Sequence, residues 1–251
     1  MIKTQNTFIS FLANNISVAI NSHHCYQIIL SLSDSFSCKI DGISPITTKG
    51  IIINQYSKHT CNTTETSVLI YYVEPDSLPG RLLKILLKDQ SFIELEELFS
   101  HHHHHNAVIS KQIESFTLNS LTAEELLYNI LPDFDLKQKS DFRIDKVKAY
   151  IEENIYRTIS LKELASIACL SSDRFRHLFK EQTGSSLSRY ILWKRISNVI
   201  IEVAVSKKMM SKTITHYGFT DQSHFSKIFK RTFGIPAKAM LKPNSNIHVL
   251  V

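Results

Sequence analysis

Two stretches of the chain, fifty residues apart, share one pattern: LSSDRFRHLFKEQTG (170–184) and TDQSHFSKIFKRTFG (220–234). Phe175 and Phe179 of the first copy correspond to Phe225 and Phe229 of the second, and a glycine closes each copy. Because the phenylalanines of a copy are four residues apart, each copy predicts an amphipathic helix with a buried apolar face. The chain therefore contains a duplicated helical element.

A short helix and a turn are predicted before each copy. Ser160 is a natural N-cap for the stretch LKELASIA, and Glu163 occupies the capping-box position. Gly218, before the second copy, can adopt the left-handed conformation that a tight turn requires. The sequence thus predicts two helix-turn-helix units, at about 160–181 and about 210–231.

One long helix is predicted between the two units. Residues 186–206 contain no Gly or Pro. At roughly 1.5 Å per residue they would form a helix of about 31 Å. Successive major-groove segments on one side of B-DNA lie roughly 34–36 Å apart. A single chain could therefore place the second helix of each unit in adjacent segments of the groove.

Each of these second helices carries a polar outer face opposite its phenylalanines. The side chains are of types that reach base edges or phosphates, and the same face occurs twice. We therefore predict DNA contacts by Ser172, Asp173, Arg176, His177 and Lys180 in the first unit and by Gln222, Ser223, Ser226, Lys227 and Lys230 in the second. Asp173 has two interpretations: it accepts from a cytosine amino group, or it caps its own helix, which we favour.

The charges of the two halves support a nucleic-acid partner for the second half. Residues 142–251 hold 19 Lys and Arg against 8 Asp and Glu, whereas residues 1–141 hold 10 against 15. Neutralising phosphates is the main source of affinity for DNA. The C-terminal half is therefore the predicted DNA-binding half, and an accidental surface charge pattern is the less favoured alternative.

The first half has a different residue pattern, which predicts strands followed by helices. From Thr7 to Val73, short β-branched and aromatic runs alternate with turn residues at Asn14-Asn15, Ser33-Asp34 and Asp41-Gly42, which predicts a small antiparallel barrel or sandwich. Residues 80–131 contain helix-like runs, among them RLLKILLK, FIELEELF, AVISKQIESF and TAEELLYNI.

Within these helical runs, Leu82, Leu83, Leu86 and Leu87 form an apolar stripe that is predicted to join the intramolecular core, with packing on a second copy of the chain as the alternative. Five consecutive histidines, 101–105, read as a solvated loop.

Several observations bear on location and on metals. No secretion signal or membrane-length apolar run is present, and the four cysteines have no CxxC spacing, so a reducing cytoplasm is expected, without a disulfide framework and without a membrane. The alternative of a cupin-type metal centre would use His23 with Cys25 and His59 with Cys61, two apart on a strand. Neither pair includes a carboxylate, so we predict no metal site, no cofactor and no catalytic residues.

The motifs above identify a resemblance. Residues 143 to about 243 resemble the DNA-binding domain of the AraC/XylS family of bacterial regulators, and GFTDQSHFSKIFKRTFGIP (218–236) is similar to its signature. The resemblance implies base reading by Asp173, Arg176 and His177 in the first unit and by Gln222, Ser223, Ser226 and Lys227 in the second. One departure is Thr213-Ile214, where the family usually has Ile-Ala, so a bulky side chain occupies a close helix crossing.

The expected protein is therefore an α+β transcription regulator and not an enzyme. Its parts are a cupin-like sensor and dimerisation domain with helices (1–132), a linker (133–141), an all-α AraC-type DNA-binding domain (142–243) and a tail (244–251). Expected partners are double-stranded promoter DNA, RNA polymerase, a second copy of the chain, and a small effector of unknown binding residues that acts through the helices after Gly80. A DNA binder without sequence preference is a further alternative, but it would not need two copies of a polar recognition face.

Overall fold

Eight strands form one antiparallel sheet in the computed structural model, which describes residues 8–100, 140–242 and 245–250. They are β1 (Phe8–Asn21), β2 (Tyr26–Ser31), β3 (Phe36–Ile40), β4 (Ile46–Thr48), β5 (Gly50–Ile53), β6 (His59–Val73), β7 (Phe92–Glu94) and β8 (Ile247–Leu250). β6 is the hub of the sheet, since it pairs with β1, β2 and β3. The strand order is β4-β3-β6-β2-β5-β7, with β1 paired to β6 and β8 paired to β1, and the sheet curls into a nearly closed barrel that confirms the predicted cupin-like half.

The innermost strands are apolar on both faces. Every residue of β2 and of β5 is buried, as expected for short β-branched runs that are covered on both sides. Ser33-Asp34 and Asp41-Gly42 connect strands as predicted, and Gly42 has a φ of 83°. The predicted turn at Asn14-Asn15 is wrong: β1 continues through it with a shift of register, because Asn15 adopts a φ of 55° and three residues of β6, 64–66, bulge opposite it.

The segment after the barrel is partly helical. α1 (Leu78–Leu87) buries Leu82, Leu83 and Leu87 and leaves Leu86 half-buried, so three of the four leucines of the stripe pack in the chain's own core. The helix predicted for FIELEELF begins three residues late: Phe92–Glu94 is β7, because pairing with β5 satisfies its backbone, and α2 (Leu95–Ser100) follows. The runs predicted at 107–116 and 122–130, and the histidines 101–105, lie outside the described residues.

Seven helices among the described residues make up the second half. They are α3 (Phe142–Glu153), α4 (Leu161–Ile167), α5 (Ser172–Thr183), α6 (Leu187–Ala204), α7 (Met210–His216), α8 (Gln222–Phe233) and α9 (Ala237–Leu241). The pairs α4–α5 and α7–α8 are the two predicted helix-turn-helix units. The connecting helix α6 has 18 residues, or about 27 Å at 1.5 Å per residue, slightly less than predicted.

The chain divides into two compact units whose boundary lies inside α8. One unit comprises Met1–Asp135 together with Lys230–Val251, and the other comprises Leu136–Phe229. The segment expected as a tail includes β8, whose register runs from Ser10 opposite Leu250 to Ala13 opposite Ile247. Within the described ranges, no helix is both long and apolar enough to cross a membrane.

Candidate nucleic-acid interface and barrel cavity

The first helix of the first unit is anchored by the predicted capping box. Ser160 Oγ accepts from the backbone N–H of Glu163, and the Glu163 carboxylate accepts in return from the backbone N–H of Ser160. Arg157 and Tyr150 also donate to that carboxylate and lower the pKa of Glu163 to about 2. These contacts tie the end of α3 to the start of α4, so the first unit begins at a defined position.

A tight turn and a serine cap position α5. Cys169 turns the chain with a φ of 53°, and Ser171 Oγ accepts from the backbone N–H of Arg174. The favoured role of Asp173 as the cap is therefore wrong, because Ser171 precedes the helix and takes that position. The Asp173 carboxylate lies 3.4 Å from the Arg176 guanidinium instead, and both side chains are exposed.

The polar face of α5 is exposed as the periodicity predicted. Phe175 and Phe179 are fully buried, and Phe179 packs edge-on against Tyr190 of α6 with ring centroids 5.3 Å apart. The opposite face presents the predicted DNA-contacting side chains: Asp173, Arg176, His177 and Lys180 are exposed, and Ser172 is half-buried. The helix is thus fixed by its phenylalanines while its polar side chains point to solvent.

The second unit accommodates the unusual Thr213-Ile214 pair within its core. Ile214 is 1% exposed, and Thr213 is buried while its hydroxyl donates to the Met209 carbonyl. Gly218 follows with a φ of 75°, and a Cβ there would lie 3.2 Å from the guanidinium of Arg195. The bulky residue therefore packs at this crossing in place of the family's alanine.

The Arg195 guanidinium connects α6 to the segment that follows α3. It donates to the carbonyl oxygens of Ile155 and Arg157, at 3.0 and 2.6 Å. Burial lowers the pKa of Arg195. Both carbonyls follow α3, so Arg195 holds the connecting helix α6 against the segment after α3. All three residues belong to the same compact unit.

α8 repeats the arrangement of α5. Asp221 Oδ1 accepts from the backbone N–H of His224 at 2.8 Å, and Phe225 and Phe229 are fully buried. The predicted contact residues line the other face: Gln222, Ser223, Lys227 and Lys230 are exposed, and Ser226 is half-buried. The last residue of the helix, Phe233, is also buried, and its ring packs edge-on against Phe11 and Tyr72 of the barrel strands.

The barrel contains an apolar cavity that the sequence did not predict in detail. It encloses about 460 Å³ of space free of protein atoms, including the part that opens to solvent. The strands contribute Phe11, Ile16, Val18, Gln27, Ile29, His59, Cys61, Thr63, Val68, Ile70 and Tyr72, and the C-terminal segment contributes Phe233, Ile235, Met240 and Ile247. The C-terminal four were missed by sequence reasoning, although the β-branched alternation of IHVL could have indicated a strand.

Close backbone packing fixes the C-terminal segment to β1. Gly234 has a φ of 72°, its carbonyl accepts from the Ala19 N–H, and a Cβ on it would lie 2.3 Å from the Ala19 carbonyl oxygen. Only glycine satisfies both the conformation and the space. The residue that ends the second recognition element is therefore also a contact point of the barrel.

The residues of the alternative metal centre come together only in part. The rings of His23 and His59 are 5.3 Å apart, and burial lowers the pKa of both imidazoles. Cys61 forms a disulfide with Cys38 across β3 and β6, which lie opposite each other in register. The expectation of no disulfide was therefore wrong, because strand pairing brings together two cysteines 23 residues apart. Among the described residues, no group of three or more His, Cys, Asp or Glu could hold a metal ion.

Known proteins share both the sequence and the fold of this chain. A family model described as a helix-turn-helix domain matches residues 164–242. The TetD protein of transposon Tn10 from Escherichia coli is 30% identical over 107 residues, which span 43% of this chain and 78% of TetD. The "Probable transcriptional regulator LumQ" of Photobacterium leiognathi is 28% identical over 226 residues, which span 85% of this chain and 88% of LumQ.

A solved structure extends the likeness to both halves of the fold. An apo ToxT variant from Vibrio cholerae has a TM-score of 0.58 and 13% identity, covering 94% of this chain and 97% of ToxT. The barrel followed by a helical domain is therefore a known architecture, and the signature at 218–236 lies within the matched helix-turn-helix region. The chain belongs to the AraC/XylS family of bacterial DNA-binding transcription regulators.

Proposed function

We propose that this regulator reads promoter DNA with α5 and α8 in successive major-groove segments, and that a small effector in the barrel cavity controls that binding. The observation that carries the DNA-binding role is the duplication: two capped helices, each held by two buried phenylalanines, present the same polar face to solvent. A single polar helix face would be an ordinary surface. Two copies flanking one connecting helix support recognition of two half-sites by one chain.

Base reading and phosphate anchoring are assigned to different parts of each helix. Arg176 lies in the second turn of α5, where its guanidinium can pair with a guanine. Lys180 lies one turn further on, where its ammonium group can approach a phosphate. In α8 we assign base reading to Gln222, Ser223, Ser226 and Lys227, and phosphate contact to Lys230.

The cavity supports control by an effector. Phe233 is the last residue of α8 and part of the cavity wall, and Ile235, Met240 and Ile247 follow it in the chain. A molecule in the cavity would touch the segment that directly continues the second recognition helix. An effector that binds one arrangement of this segment more tightly than another would shift α8 between states. Within the described residues, an effector would thus act on α8 directly through the segment 233–247, and it would not need to act through the helices after Gly80.

A protein of the same fold supports a small-molecule ligand. ToxT has been solved with an unsaturated fatty acid bound and with a methylnaphthalenyl butenoic acid bound. Both are small, largely apolar molecules. We propose that the barrel of this chain likewise takes a small molecule with an apolar body.

The remaining partners follow from promoter binding. We propose that the chain acts in the cytoplasm, where promoter DNA is found, that it contacts RNA polymerase, and that two copies associate through the N-terminal half. We also propose that the domains end at the boundaries predicted from the sequence, at residues 132, 142 and 243. Gel filtration and a reconstituted transcription assay with purified polymerase test the two protein contacts.

Arg176→Ala and Lys180→Ala test the DNA-binding proposal. Genomic fragments that bind the full chain are selected, and affinities are measured for the selected site and its single-base variants at several salt concentrations. Arg176→Ala should lose roughly 1–3 kcal/mol of discrimination at one or two base pairs, while Lys180→Ala should weaken all sequences alike and reduce the salt slope by about one. Equal small losses with intact specificity would mean that α5 does not read DNA.

Val68→Phe tests the effector proposal, because it fills the cavity from the wall of the barrel. The variant should bind the selected fragment yet lose its response to growth conditions in a reporter strain. Val205→Phe adds the same bulk at an exposed position and is the matched control. An unchanged response of the Val68 variant would contradict control through the cavity.

A further inference from the structure

Among the described residues that line the cavity, one has a buried polar side-chain atom without a hydrogen-bond partner. Gln27 Nε2 donates to the Tyr72 hydroxyl at 3.1 Å, the Thr63 hydroxyl donates to the Ile16 carbonyl at 3.1 Å, and Cys61 is in the disulfide. Nε2 of His59 is buried and has no hydrogen-bond partner in the described part of the chain. Because a buried polar atom without a partner costs free energy, this atom marks where a ligand's polar group would be satisfied.

The protonation of His59 follows from its other ring nitrogen. Nδ1 lies 2.9 Å from the carbonyl oxygen of Ser57, which can only accept, so Nδ1 carries the hydrogen. Burial lowers the pKa of His59, so the ring is neutral near pH 7. Nε2 of this cavity-lining residue therefore carries a lone pair and can only accept a hydrogen bond.

The rest of the lining restricts the ligand further. None of the described residues that line the cavity is Lys, Arg, Asp or Glu. An ionised carboxylate would face the lone pair of Nε2 without a cation, and an ammonium group would lack an anion. An amide would bring a carbonyl that needs a donor of its own. A hydroxyl group supplies the one donor that the wall lacks.

We propose that the cavity binds a small neutral alcohol or phenol whose hydroxyl donates to Nε2 of His59 and whose apolar body contacts the barrel and the segment after α8. The ligand class rests on the proposed effector function, because the same cavity is the proposed control site. The space of about 460 Å³ includes the part that opens to solvent, so the enclosed part of the cavity is smaller than this. The ligand is accordingly a compact molecule.

Three probes with the same apolar chain test the hydroxyl. Binding of n-octanol, methyl octyl ether and octanoate to the full-length protein is measured by isothermal titration calorimetry. Satisfying a buried acceptor should make n-octanol bind roughly tenfold more tightly than the ether, with octanoate the weakest. Equal binding of alcohol and ether, tighter binding of octanoate, or no binding of any probe overturns the inference.

Substitutions place the preference at His59. In His59→Phe the ring is kept without Nε2, so alcohol and ether should bind alike. His59→Gln retains a side-chain oxygen that can accept, and it should keep part of the preference, which separates loss of the acceptor from loss of folding. His216→Phe, at an exposed position of α7, is the matched control and should bind like the wild type. A preference that persists in His59→Phe would contradict the assignment.

DNA binding separates this inference from the proposed function. Affinity for the selected genomic fragment is measured with and without n-octanol. If n-octanol binds with a preference that depends on His59 while DNA affinity is unchanged, the ligand site stands and effector control fails. If DNA affinity responds to a molecule without a hydroxyl while n-octanol does not bind, effector control stands and the hydroxyl inference fails.

Discussion

Acidification should destabilise the barrel through His23, which is 5% exposed. Its Nδ1 donates to the Cys25 carbonyl at 2.9 Å, and its ring packs edge-on against His59 and Tyr72. Burial, followed by the nearby imidazole of His59, lowers the pKa of His23 from 6.5 to about 3. The folded protein therefore resists a proton that the unfolded chain accepts readily.

The size of the effect follows from linkage between protonation and folding. Above pH 6.5 the imidazole is neutral in both states, so its full stabilisation is present. Below pH 6.5 the unfolded chain gains a proton and the folded chain does not, and the loss continues until the pH reaches the folded pKa. At pH 5 the loss is about 2 kcal/mol. This figure depends mainly on the unfolded pKa, since pH 5 lies well above the folded one.

Urea denaturation of wild type and His23→Gln, followed by circular dichroism at pH 8 and pH 5, measures this loss. Glutamine can still donate but cannot take up a proton, so its free energy of unfolding should fall by about 2 kcal/mol less between the two pH values. His177→Gln changes an exposed histidine and should retain the full wild-type loss. If wild type and His23→Gln lose the same amount, His23 is not the acid-sensitive group.

Three further predictions concern close packing and the disulfide, and each is measured by the free energy of unfolding. Gly234→Ala should cost more than Gly42→Ala, because both positions have positive φ but only Gly234 lacks room for a Cβ, and equal costs would contradict the close packing on β1. Ile214→Ala should cost about 2–5 kcal/mol although alanine is usual in the family, and a neutral effect would mean that the crossing is loosely packed. Adding a reductant should lower the free energy of unfolding of the wild type by about 3 kcal/mol, because the disulfide joins Cys38 to Cys61 across a separation of 23 residues. The same reductant should not change the stability of Cys38→Ala. Equal sensitivity of the two proteins would refute the disulfide.

The sequence by itself determined the features that short-range interactions encode. Ser160 and Glu163 cap each other three residues apart, Phe175 and Phe179 lie one helical turn apart, and Gly218 sets its own backbone conformation. These signals were sufficient for both helix-turn-helix units and for the exposed polar faces. The fifty-residue repeat and the charge contrast between the halves then indicated DNA as the partner.

The tertiary structure alone decided the features that depend on long-range pairing. β8 pairs with β1 although Ser10 and Leu250 are 240 residues apart, and no local pattern specifies that partner. Phe233 likewise lies in the cavity wall against Phe11 and Tyr72, and strand register joins Cys38 to Cys61. Amphipathic periodicity shows which face of an element is buried, but the partner of that face is set by the chain's topology. The cavity and the open acceptor of His59 therefore emerge only once the barrel closes.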